Sequence, residues 1–211
     1  MIKNTLFWVK NLKYVHLPAK FVDNNTIREY NEIIQAIKSD INIKLTYPIN
    51  RNVSKFGGEV LYSIIRKSKP KTVIETGIAN GLSTRLILSA LNKNEQGKLI
   101  SVDINNDVGG FLKGFDTSRW VCKIGKPREG FLSALSMVDG LDIFMHDSAH
   151  SYENMLFEYR EAFKKLTQYG IVMSDDVNAN SAFIEFSKEI HATPYIIPSR
   201  WKSFGILYNG R

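Results

Sequence analysis

The stretch from residue 72 to residue 83 constrains the fold of this chain more than any other part of the sequence. Residues 72–76 form a short run of mostly β-branched side chains between Pro70 and Gly77, which is typical of a buried parallel strand. From Ser83 to Leu91 the apolar side chains recur at helical spacing, so a strand, a glycine turn and a helix follow one another. Such a unit turns backbone N–H groups and a helix N-terminus toward a ligand, and it predicts a nucleotide-type site in an α/β domain.

Glu75 narrows the choice of nucleotide. A carboxylate two residues before Gly77 would repel the pyrophosphate of a dinucleotide at close range. Ala79 also stands where the G-x-G-x-x-G pattern has its middle glycine. A ligand with a sulfonium or amine and no phosphate suits this turn better, and S-adenosylmethionine is such a ligand. The spacing of Glu75, Gly77 and Gly81, followed by Ser83, resembles the first motif of the class I S-adenosylmethionine-dependent methyltransferases.

The resemblance covers about residues 53–208 and implies a Rossmann-like fold. In that fold, a doubly wound, mostly parallel seven-stranded sheet has helices on both faces and a C-terminal antiparallel strand. It also implies the positions that bind the cofactor. These are Val53, in a segment that folds over the methionine end of the cofactor, the turn residues Glu75, Gly77, Ala79, Gly81 and Ser83, and Gly125 and Lys126, which follow the third strand at the adenine. The alternative is an ordinary strand–turn–helix unit with a surface glutamate.

Acidic residues end two further apolar runs. Asp103 closes the run that begins at Lys98, where a carboxylate can accept hydrogen bonds from both ribose hydroxyls of a nucleoside. The alternative for Asp103 is a strand-ending residue that caps the next turn. Asp147 follows the buried run 141–145. Because ligands of an open parallel sheet bind outside the carboxyl ends of its strands, we expect Asp147 beside Glu75 and Asp103 and assign it to the cofactor site as well.

A fifth run, residues 169–177, contains two adjacent carboxylates, Asp175 and Asp176. Together with Asp147 they would repel one another unless a cation or a proton intervenes. Oxygen ligands of this kind suit hard cations, so we predict a divalent metal, Mg²⁺, held by Asp147, Asp175 and Asp176. The alternative is that one of the pair caps the helix predicted over residues 180–190.

These three aspartates resemble the metal ligands of cation-dependent O-methyltransferases, both the catechol type and the type that methylates macrolide and aminocoumarin sugars. His150 falls where the catechol enzymes have a catalytic lysine, and Asp147, His150 and Tyr152 form a D-x-x-H-x-Y pattern found in many small-molecule methyltransferases. The resemblance implies metal-assisted methyl transfer to a hydroxyl of a sugar, a phenol or another metabolite. Asp147 and His150 are the predicted catalytic residues, with His150 as the base.

The first 52 residues contain the least information. With 211 residues, 44% of them hydrophobic, the chain can form one full core, and we predict an N-terminal helical or irregular cap over 1–52 and a methyltransferase domain over 53–211. An amphipathic helix is predicted over 26–38, with Asn25 or Thr26 as its cap. The aromatic residues around it could cover the domain, line a substrate pocket or form a homodimer contact; they are Trp8, Tyr14, Phe21 and Tyr47.

The last part of the chain completes the predicted sheet. Two apolar runs, 194–198 and 204–208, are joined by a short loop and should pair antiparallel. The loop contains Arg200, Trp201 and Lys202 and could either gate the pocket or be a surface turn. Residues 107–118 show no helical pattern. The remaining predicted elements are helices over 58–69 and 152–166 and a strand over 119–124.

The composition of the chain indicates its compartment and the kinds of molecule that it can bind. The single cysteine, Cys122, excludes an intramolecular disulfide and indicates a reducing compartment. No apolar run is long enough to span a membrane and the N-terminus lacks the features of a signal peptide, so we expect a cytoplasmic protein. The net charge of +7 leaves two alternatives to a small-molecule enzyme: an RNA methyltransferase, although the basic residues are scattered, and a non-catalytic adenosyl-binding relative.

Overall fold

A computed structural model of the protein describes residues 22–41 and 43–210. Its centre is a seven-stranded sheet in the order β3-β2-β1-β4-β5-β7-β6. The strands are β1 (Thr72–Thr76), β2 (Lys98–Asp103), β3 (Trp120–Ile124), β4 (Leu141–His146), β5 (Leu166–Ser174), β6 (Tyr195–Pro198) and β7 (Ser203–Tyr208). β1 to β5 pair in parallel, and β7 is antiparallel to both of its neighbours. The predicted sheet, including its C-terminal antiparallel strand, is confirmed.

Helices cover both faces of the sheet. They are α1 (Asn24–Ser39), α2 (Lys55–Ser68), α3 (Leu82–Asn94), α4 (Pro127–Ser136), α5 (Tyr152–Lys165) and α6 (Ala182–Glu189). One core cluster joins α1, α2 and α3 to one face through residues such as Tyr30, Ile64 and Leu86. A second cluster joins α4, α5 and α6 to the other face through Phe131 and Phe183, among others. The sheet is therefore doubly wound, as predicted.

Most element boundaries lie within a few residues of those predicted, and two differences matter for the site. β5 ends at Ser174, so Asp175 and Asp176 follow the strand instead of ending it. Asp176 has a φ of 50°, which turns the chain away from the sheet. α4 was not predicted, although it begins with a proline at its first turn and buries Phe131 on its inner face.

α1 belongs to the same packed body as the sheet. Its N-cap is Asp23, not Asn25 or Thr26 as predicted, and Thr26 instead completes a capping box with Asp23. On the inner side of α1, the carboxylate of Glu29 accepts hydrogen bonds from Tyr62 and Arg66 of α2. The domain boundary after residue 52 stays a prediction, and Trp8, Tyr14 and Phe21 lie outside the described residues.

The two segments that flank the site are irregular or tightly turned. Between β2 and β3 the described chain forms a single 3₁₀ turn (Gly110–Leu112) and no α-helix. This agrees with the absence of a helical pattern in residues 107–118. β6 and β7 form the predicted antiparallel hairpin. In the described part of the chain, no helix is both long enough and apolar enough to cross a membrane.

Candidate active site

The turn after β1 brings bare backbone to the carboxyl edge of the sheet. Gly77 has a φ of 84°, and a Cβ at this position would lie 2.0 Å from the carbonyl oxygen of Asp147. Only glycine fits such a close approach of two chains. Ala79 has a φ of 45°, and Gly81, with a φ of 81°, begins α3. The strained turn therefore keeps the start of α3 close to β4 and presents Gly77 and Ala79 to the space between them.

Asp103 fastens this turn to the end of β2. Its Oδ2 accepts hydrogen bonds from the N–H groups of Ile78 (2.8 Å) and Ala79 (3.2 Å), and its Oδ1 accepts one from Asn105 (2.9 Å). A carboxylate offers about four acceptor positions, so Oδ1 keeps a lone pair for a ligand. Asp103 therefore fastens the turn, as the alternative interpretation predicted, and it also lines the cavity described below, while its contact with the ribose stays a prediction.

Glu75 does not form an acidic surface on the turn, and that part of the prediction is wrong. The side chain is fully buried beneath the turn, where its carboxylate accepts hydrogen bonds from three hydroxyls. The donors are Ser83 at 2.6 Å, Thr84 at 2.7 Å and Ser101 at 2.7 Å. Burial raises the pKa of Glu75, although the three hydroxyls act in the opposite direction. Glu75 therefore supports the turn from within and does not line the cavity.

A cavity of about 430 Å³ lies above the carboxyl ends of β1, β2, β4 and β5. This volume is within the range of roughly 300–1,000 Å³ usual for small-molecule sites. One wall is formed by the glycine turn, the end of β2 and the segment before α2, and includes Gly77, Ala79, Val102, Asp103, Ile104, Asn105, Pro127, Tyr47, Asn50 and Arg51. The other wall follows β4 and β5 and includes Asp147, Ser148, Ala149, His150, Asp176 and Lys202, with Thr76 and Glu158 beneath.

The first wall has an apolar end next to Asp103. Ile104 is 60% exposed although it is a large apolar residue, and it faces the cavity together with Pro127. Tyr47 closes this end from above. Its backbone exchanges two hydrogen bonds with the buried amide of Asn80, at 3.0 and 2.9 Å, so the segment before α2 is tied directly to the glycine turn. The result is a flat apolar slot beside a carboxylate, which suits a nucleoside.

Several predicted cofactor residues lie close to the cavity but not on its surface. Val53 is 5% exposed and belongs to the core, and Arg51, two residues earlier, faces the cavity instead. The hydroxyl of Ser83 donates its hydrogen bond to the buried carboxylate of Glu75. The side chain of Lys126 is 80% exposed and lies near Glu129. The backbone N–H of Gly125 donates to the carbonyl of Asp103 in β2. After β3, the cavity is lined by Pro127 and not by Gly125 or Lys126, the residues predicted there. Tyr47, one of the aromatic residues considered for a pocket, lines the first wall, whereas Asn50 and Arg51 were missed because they belong to no recognisable motif.

The second wall brings together the residues predicted as catalytic and metal-binding. His150 Nε2 lies 3.8 Å from Asp147 Oδ1, and His150 Nδ1 lies 3.8 Å from Asp176 Oδ2. Lys202 Nζ donates a hydrogen bond to Asp175 Oδ2 at 2.6 Å and lies 3.9 Å from Asp176 Oδ2. Asp175 itself is fully buried behind this surface. The three aspartates therefore lie in one cluster, in which His150 is next to Asp147 and Asp176, and Lys202, from the loop between β6 and β7, is next to Asp175 and Asp176.

Burial and mutual repulsion dominate the titration of this cluster. Burial raises the pKa of Asp147 well above its usual range, and the charge of Asp175 adds to the effect. Burial also raises the pKa of Asp175, to about 6, against the opposing charge of Lys202. The pKa of Lys202 is lowered by burial but raised more by Asp175 and Asp176, so its ammonium stays charged. Burial and the charges of His146 and Lys202 lower the pKa of His150 to about 3, so the imidazole is neutral at neutral pH.

The residues present do not fit the predicted Mg²⁺ site. Within residues 22–41 and 43–210, no group of three or more His, Cys, Asp or Glu side chains is arranged to hold a metal ion. Oδ2 of Asp175 already accepts a hydrogen bond from the ammonium of Lys202. A metal would need that oxygen at about 2.0–2.1 Å and would place two positive charges beside the ammonium.

A buried polar network lies beneath the second wall and was missed in the sequence. Glu158 of α5 is 2% exposed, and its Oε2 binds Thr76 Oγ1 at 2.6 Å and His146 Nδ1 at 2.7 Å. Its Oε1 accepts a hydrogen bond from Ser148 at 2.9 Å. Burial raises the pKa of Glu158, but His146 and the hydroxyl donors outweigh it, so the net shift is downward. A glutamate at core spacing beside Tyr159 was the available signal for this network.

The strand order, the glycine turn after β1 and the aspartates at the carboxyl ends of β2, β4 and β5 are together typical of the fold of the class I methyltransferases. Residues 74–177 match the family model described as a methyltransferase domain. This part of the chain is therefore a methyltransferase domain, and the predicted class I methyltransferase is confirmed. A search of curated proteins finds no match to the chain.

Solved structures of methyltransferases share the fold. An O-methyltransferase from Bacillus cereus in complex with SAH is 14% identical, with a TM-score of 0.61 over 86% of this chain and 90% of that one. A putative O-methyltransferase from Klebsiella pneumoniae is 16% identical, with a TM-score of 0.63 over 97% and 94%. The O-methyltransferase TomG from Streptomyces achromogenes, involved in tomaymycin synthesis and solved with SAM, is 14% identical, with a TM-score of 0.62 over 97% and 95%.

Proposed function

We propose that this protein transfers a methyl group from S-adenosylmethionine to a hydroxyl oxygen of a small molecule. The observation that carries the proposal is a single cavity with two unlike walls. One wall is the glycine turn with Asp103 and an apolar slot, and the other is the cluster of Asp147, His150, Asp176 and Lys202. A methyl donor and its acceptor need such adjacent sites, because the transfer is an in-line displacement that requires both to be held in line.

The first wall matches the parts of the donor. The free lone pair of Asp103 Oδ1 can accept a ribose hydroxyl, and the adenine would cover the exposed side chain of Ile104 against Pro127. The guanidinium of Arg51 supplies a cation for the donor's methionine carboxylate. The backbone of Gly77 then faces the sulfonium. The SAH-bound enzyme of B. cereus and the SAM-bound TomG, which share the fold, support this choice of donor.

The second wall supplies what an oxygen acceptor needs. A hydroxyl is a poor nucleophile until its proton leaves, and His150 has a buried Nε2 without a hydrogen-bond partner in residues 22–41 and 43–210, which offers an acceptor for that proton. Asp147 and Asp176 lie on either side of the imidazole, each 3.8 Å from one of its nitrogens, and their oxygens can accept hydrogen bonds from the ring. Hydrogen bonds of this kind are often long before substrate binds and shorten in the reactive complex. The O-methyltransferase of B. cereus and the O-methyltransferase TomG, which share the fold, support oxygen as the acceptor atom.

The predicted Mg²⁺ is not part of this proposal. The three aspartates were its expected ligands, and Lys202 already neutralises part of their charge. The proposed chemistry therefore uses only the side chains of this chain and the donor.

Calorimetry with S-adenosylmethionine tests the donor. We expect the wild-type protein to bind it, and Asp103→Asn to weaken binding by about tenfold, which corresponds to about 1.4 kcal/mol. Asp139→Asn, an exposed residue after α4, is the matched control and should leave the affinity unchanged. Tight binding of NADH with no binding of S-adenosylmethionine would refute the choice of donor.

A screen of hydroxylated sugars and phenols with isotope-labelled donor tests the acceptor. We expect labelled methyl ethers identified by mass spectrometry. Mass spectrometry of material that co-purifies with the protein narrows the screen. Label found in RNA, or on nitrogen, would refute the proposed acceptor while leaving methyl transfer in place.

A further inference from the structure

The carboxylate cluster of the second wall already contains a built-in cation. Lys202 Nζ lies 2.6 Å from Asp175 Oδ2 and 3.9 Å from Asp176 Oδ2, and its side chain is only 15% exposed. Asp175 is fully buried, so the hydrogen bond is shielded from solvent and is stronger than a surface ion pair. The ammonium therefore lies between Asp175 and Asp176, two of the three carboxylates predicted to hold Mg²⁺.

The chain holds Lys202 in this position from both sides. On its N-terminal side, the carbonyl of Lys202 accepts hydrogen bonds from the backbone N–H and the hydroxyl of Ser199, at 2.9 and 2.6 Å. On its C-terminal side, the N–H of Ser203 donates to Asn178 Oδ1 at 2.7 Å, and the carbonyl of Ser203 accepts from Val177. The tip of the β6–β7 hairpin is thus bound to the segment after β5. These contacts fix the backbone on either side of Lys202, and the hydrogen bond to Asp175 then orients its side chain.

One face of the cluster remains open for a ligand. Lys202 and Asp176 line the cavity, and so does His150 opposite them. Among the described residues, His150 Nε2 has no hydrogen-bond partner, although the atom itself is buried. An ammonium has three N–H donors, and the structure uses one of them strongly, for Asp175. A second can point into the cavity, where the acceptor's oxygen must lie next to His150.

We propose that the ammonium of Lys202 takes the place of a divalent cation in this site and binds the acceptor's oxygen during methyl transfer. This inference rests on the proposed function. The acceptor's O–H proton passes to His150 Nε2, and the oxygen's electron pair forms a bond to the donor's methyl carbon. The bond between carbon and sulfur breaks, and its electron pair stays on sulfur, which becomes the neutral thioether of S-adenosylhomocysteine. While negative charge develops on the acceptor's oxygen, the hydrogen bond from Lys202 Nζ stabilises it.

The inference predicts that lysine and metal exclude each other. Titration with Mn²⁺, followed by electron paramagnetic resonance, measures the metal directly and needs no acceptor. We expect no stoichiometric binding to the wild-type protein and bound Mn²⁺ in Lys202→Met, because loss of the ammonium frees Asp175 Oδ2 and lets the three carboxylates, which are not arranged around a metal in the present structure, rearrange around one. Lys202→Met/Asp175→Asn should lose the new site. Lys71→Met, an exposed lysine at the opposite end of β1, is the control and should behave as wild type.

Turnover in the presence of a chelator tests the second half of the inference, with the acceptor found in the screen above. We expect the wild-type rate to be unchanged by EDTA, and kcat of Lys202→Met to fall by about 10²–10³-fold, the usual effect of removing one donor to a developing oxyanion. Lys202→Arg should keep part of the rate. Thermal unfolding of each variant shows whether it is folded.

Two results would overturn the inference. One is stoichiometric Mn²⁺ binding by the wild-type protein that Asp175→Asn abolishes, and the other is a wild-type kcat in Lys202→Met. Failure of the proposed function would be seen differently, as no binding of S-adenosylmethionine in calorimetry, and it would leave the Mn²⁺ experiment interpretable.

Discussion

The buried carboxylate of Glu75 gives the sharpest test of how the glycine turn is built. In Glu75→Ala the hydroxyls of Ser83, Thr84 and Ser101 each lose a short hydrogen bond in the interior. A buried polar group left without its partner costs about 1–3 kcal/mol, and the removed side chain leaves a small cavity. The hydroxyls can find other partners in part, so we expect the free energy of unfolding to fall by about 3–5 kcal/mol.

Thermal unfolding measures this effect. A loss of about 3–5 kcal/mol lowers Tm by roughly 10 °C in a chain of this size. The matched control is Glu32→Ala on the exposed face of α1, which loses only a 4.0 Å ion pair with Arg28 and should shift Tm by about 1 °C or less. Ser101→Ala should have an intermediate effect, because it removes one of the three donors.

The opposite pattern would refute the reasoning. If Glu75→Ala kept the wild-type Tm but lost affinity for S-adenosylmethionine, the carboxylate would contact the donor and would not support the turn. The sequence analysis expected that result, and the structure predicts the other. In Glu75→Gln we expect a smaller loss of stability, about 1–2 kcal/mol, because the amide keeps the volume and one acceptor oxygen.

Three further changes test the site and its surroundings. Gly77→Ala places a Cβ 2.0 Å from the carbonyl oxygen of Asp147. Calorimetry should therefore show at least about a tenfold loss of donor affinity, and thermal unfolding should show a lower Tm. No change in either quantity would show that the turn can open. His150→Ala should cut turnover with the donor affinity intact, and a normal rate would remove His150 as the base. Burial raises the pKa of Glu29, but hydrogen bonds from Arg66, Tyr62 and Lys93 outweigh burial and lower the pKa to about 2. The charged carboxylate therefore stabilises the fold above pH 4.5, and this stabilisation is lost as the pH falls toward 2. Denaturant unfolding of Glu29→Gln should therefore show about 2 kcal/mol less stability than wild type at pH 7 and a smaller difference at pH 3, and a constant difference would contradict the assignment.

The fold could be predicted because its signals are local. Each parallel strand is a short β-branched or apolar run, and several end in a carboxylate or a glycine, so the runs and the edge that they share could be read from the sequence. Asp103 and Asp147 reach the cavity for this reason alone. α4 was not predicted because its few apolar residues, Phe131 among them, leave most of the helix exposed.

The direction of Glu75 could not be obtained from spacing to the glycines, although the sequence contained a clue. Side chains of a strand alternate between its faces, so Glu75 points to the same side as Val73, toward α3. Its partner in the next strand is Ser101, a polar residue in an otherwise apolar run. Two polar side chains at the same register in adjacent buried strands indicate a buried polar contact and not a surface that binds ligand.

Lys202 could not be assigned because its contact with Asp175 depends on tertiary structure. The two residues are 27 positions apart and meet only after the β6–β7 hairpin folds back beside β5. The carboxylates of the cluster could be found by their position at the ends of strands, but the cation that neutralises them lies in a loop with no pattern of its own. A metal was therefore the natural prediction, and the lysine explains why the same charges can converge without one.

Two buried glutamates hold the end of β1 from opposite faces of the sheet. Glu75 lies beneath α3, and Glu158 of α5 binds the hydroxyl of Thr76, the next residue of the strand. Neither carboxylate is matched by a lysine or arginine among its hydrogen-bond partners in the described residues, so each depends on short hydrogen bonds to hydroxyls or, for Glu158, to His146 and Asn154. Networks of this kind have few alternative arrangements, because each broken bond leaves a buried polar atom unpaired. The glycine turn and the end of β1, which lies beside the strand that leads to Asp147, are therefore fixed by polar contacts on both sides, so in the proposed function the fold itself would set the distance between donor and acceptor.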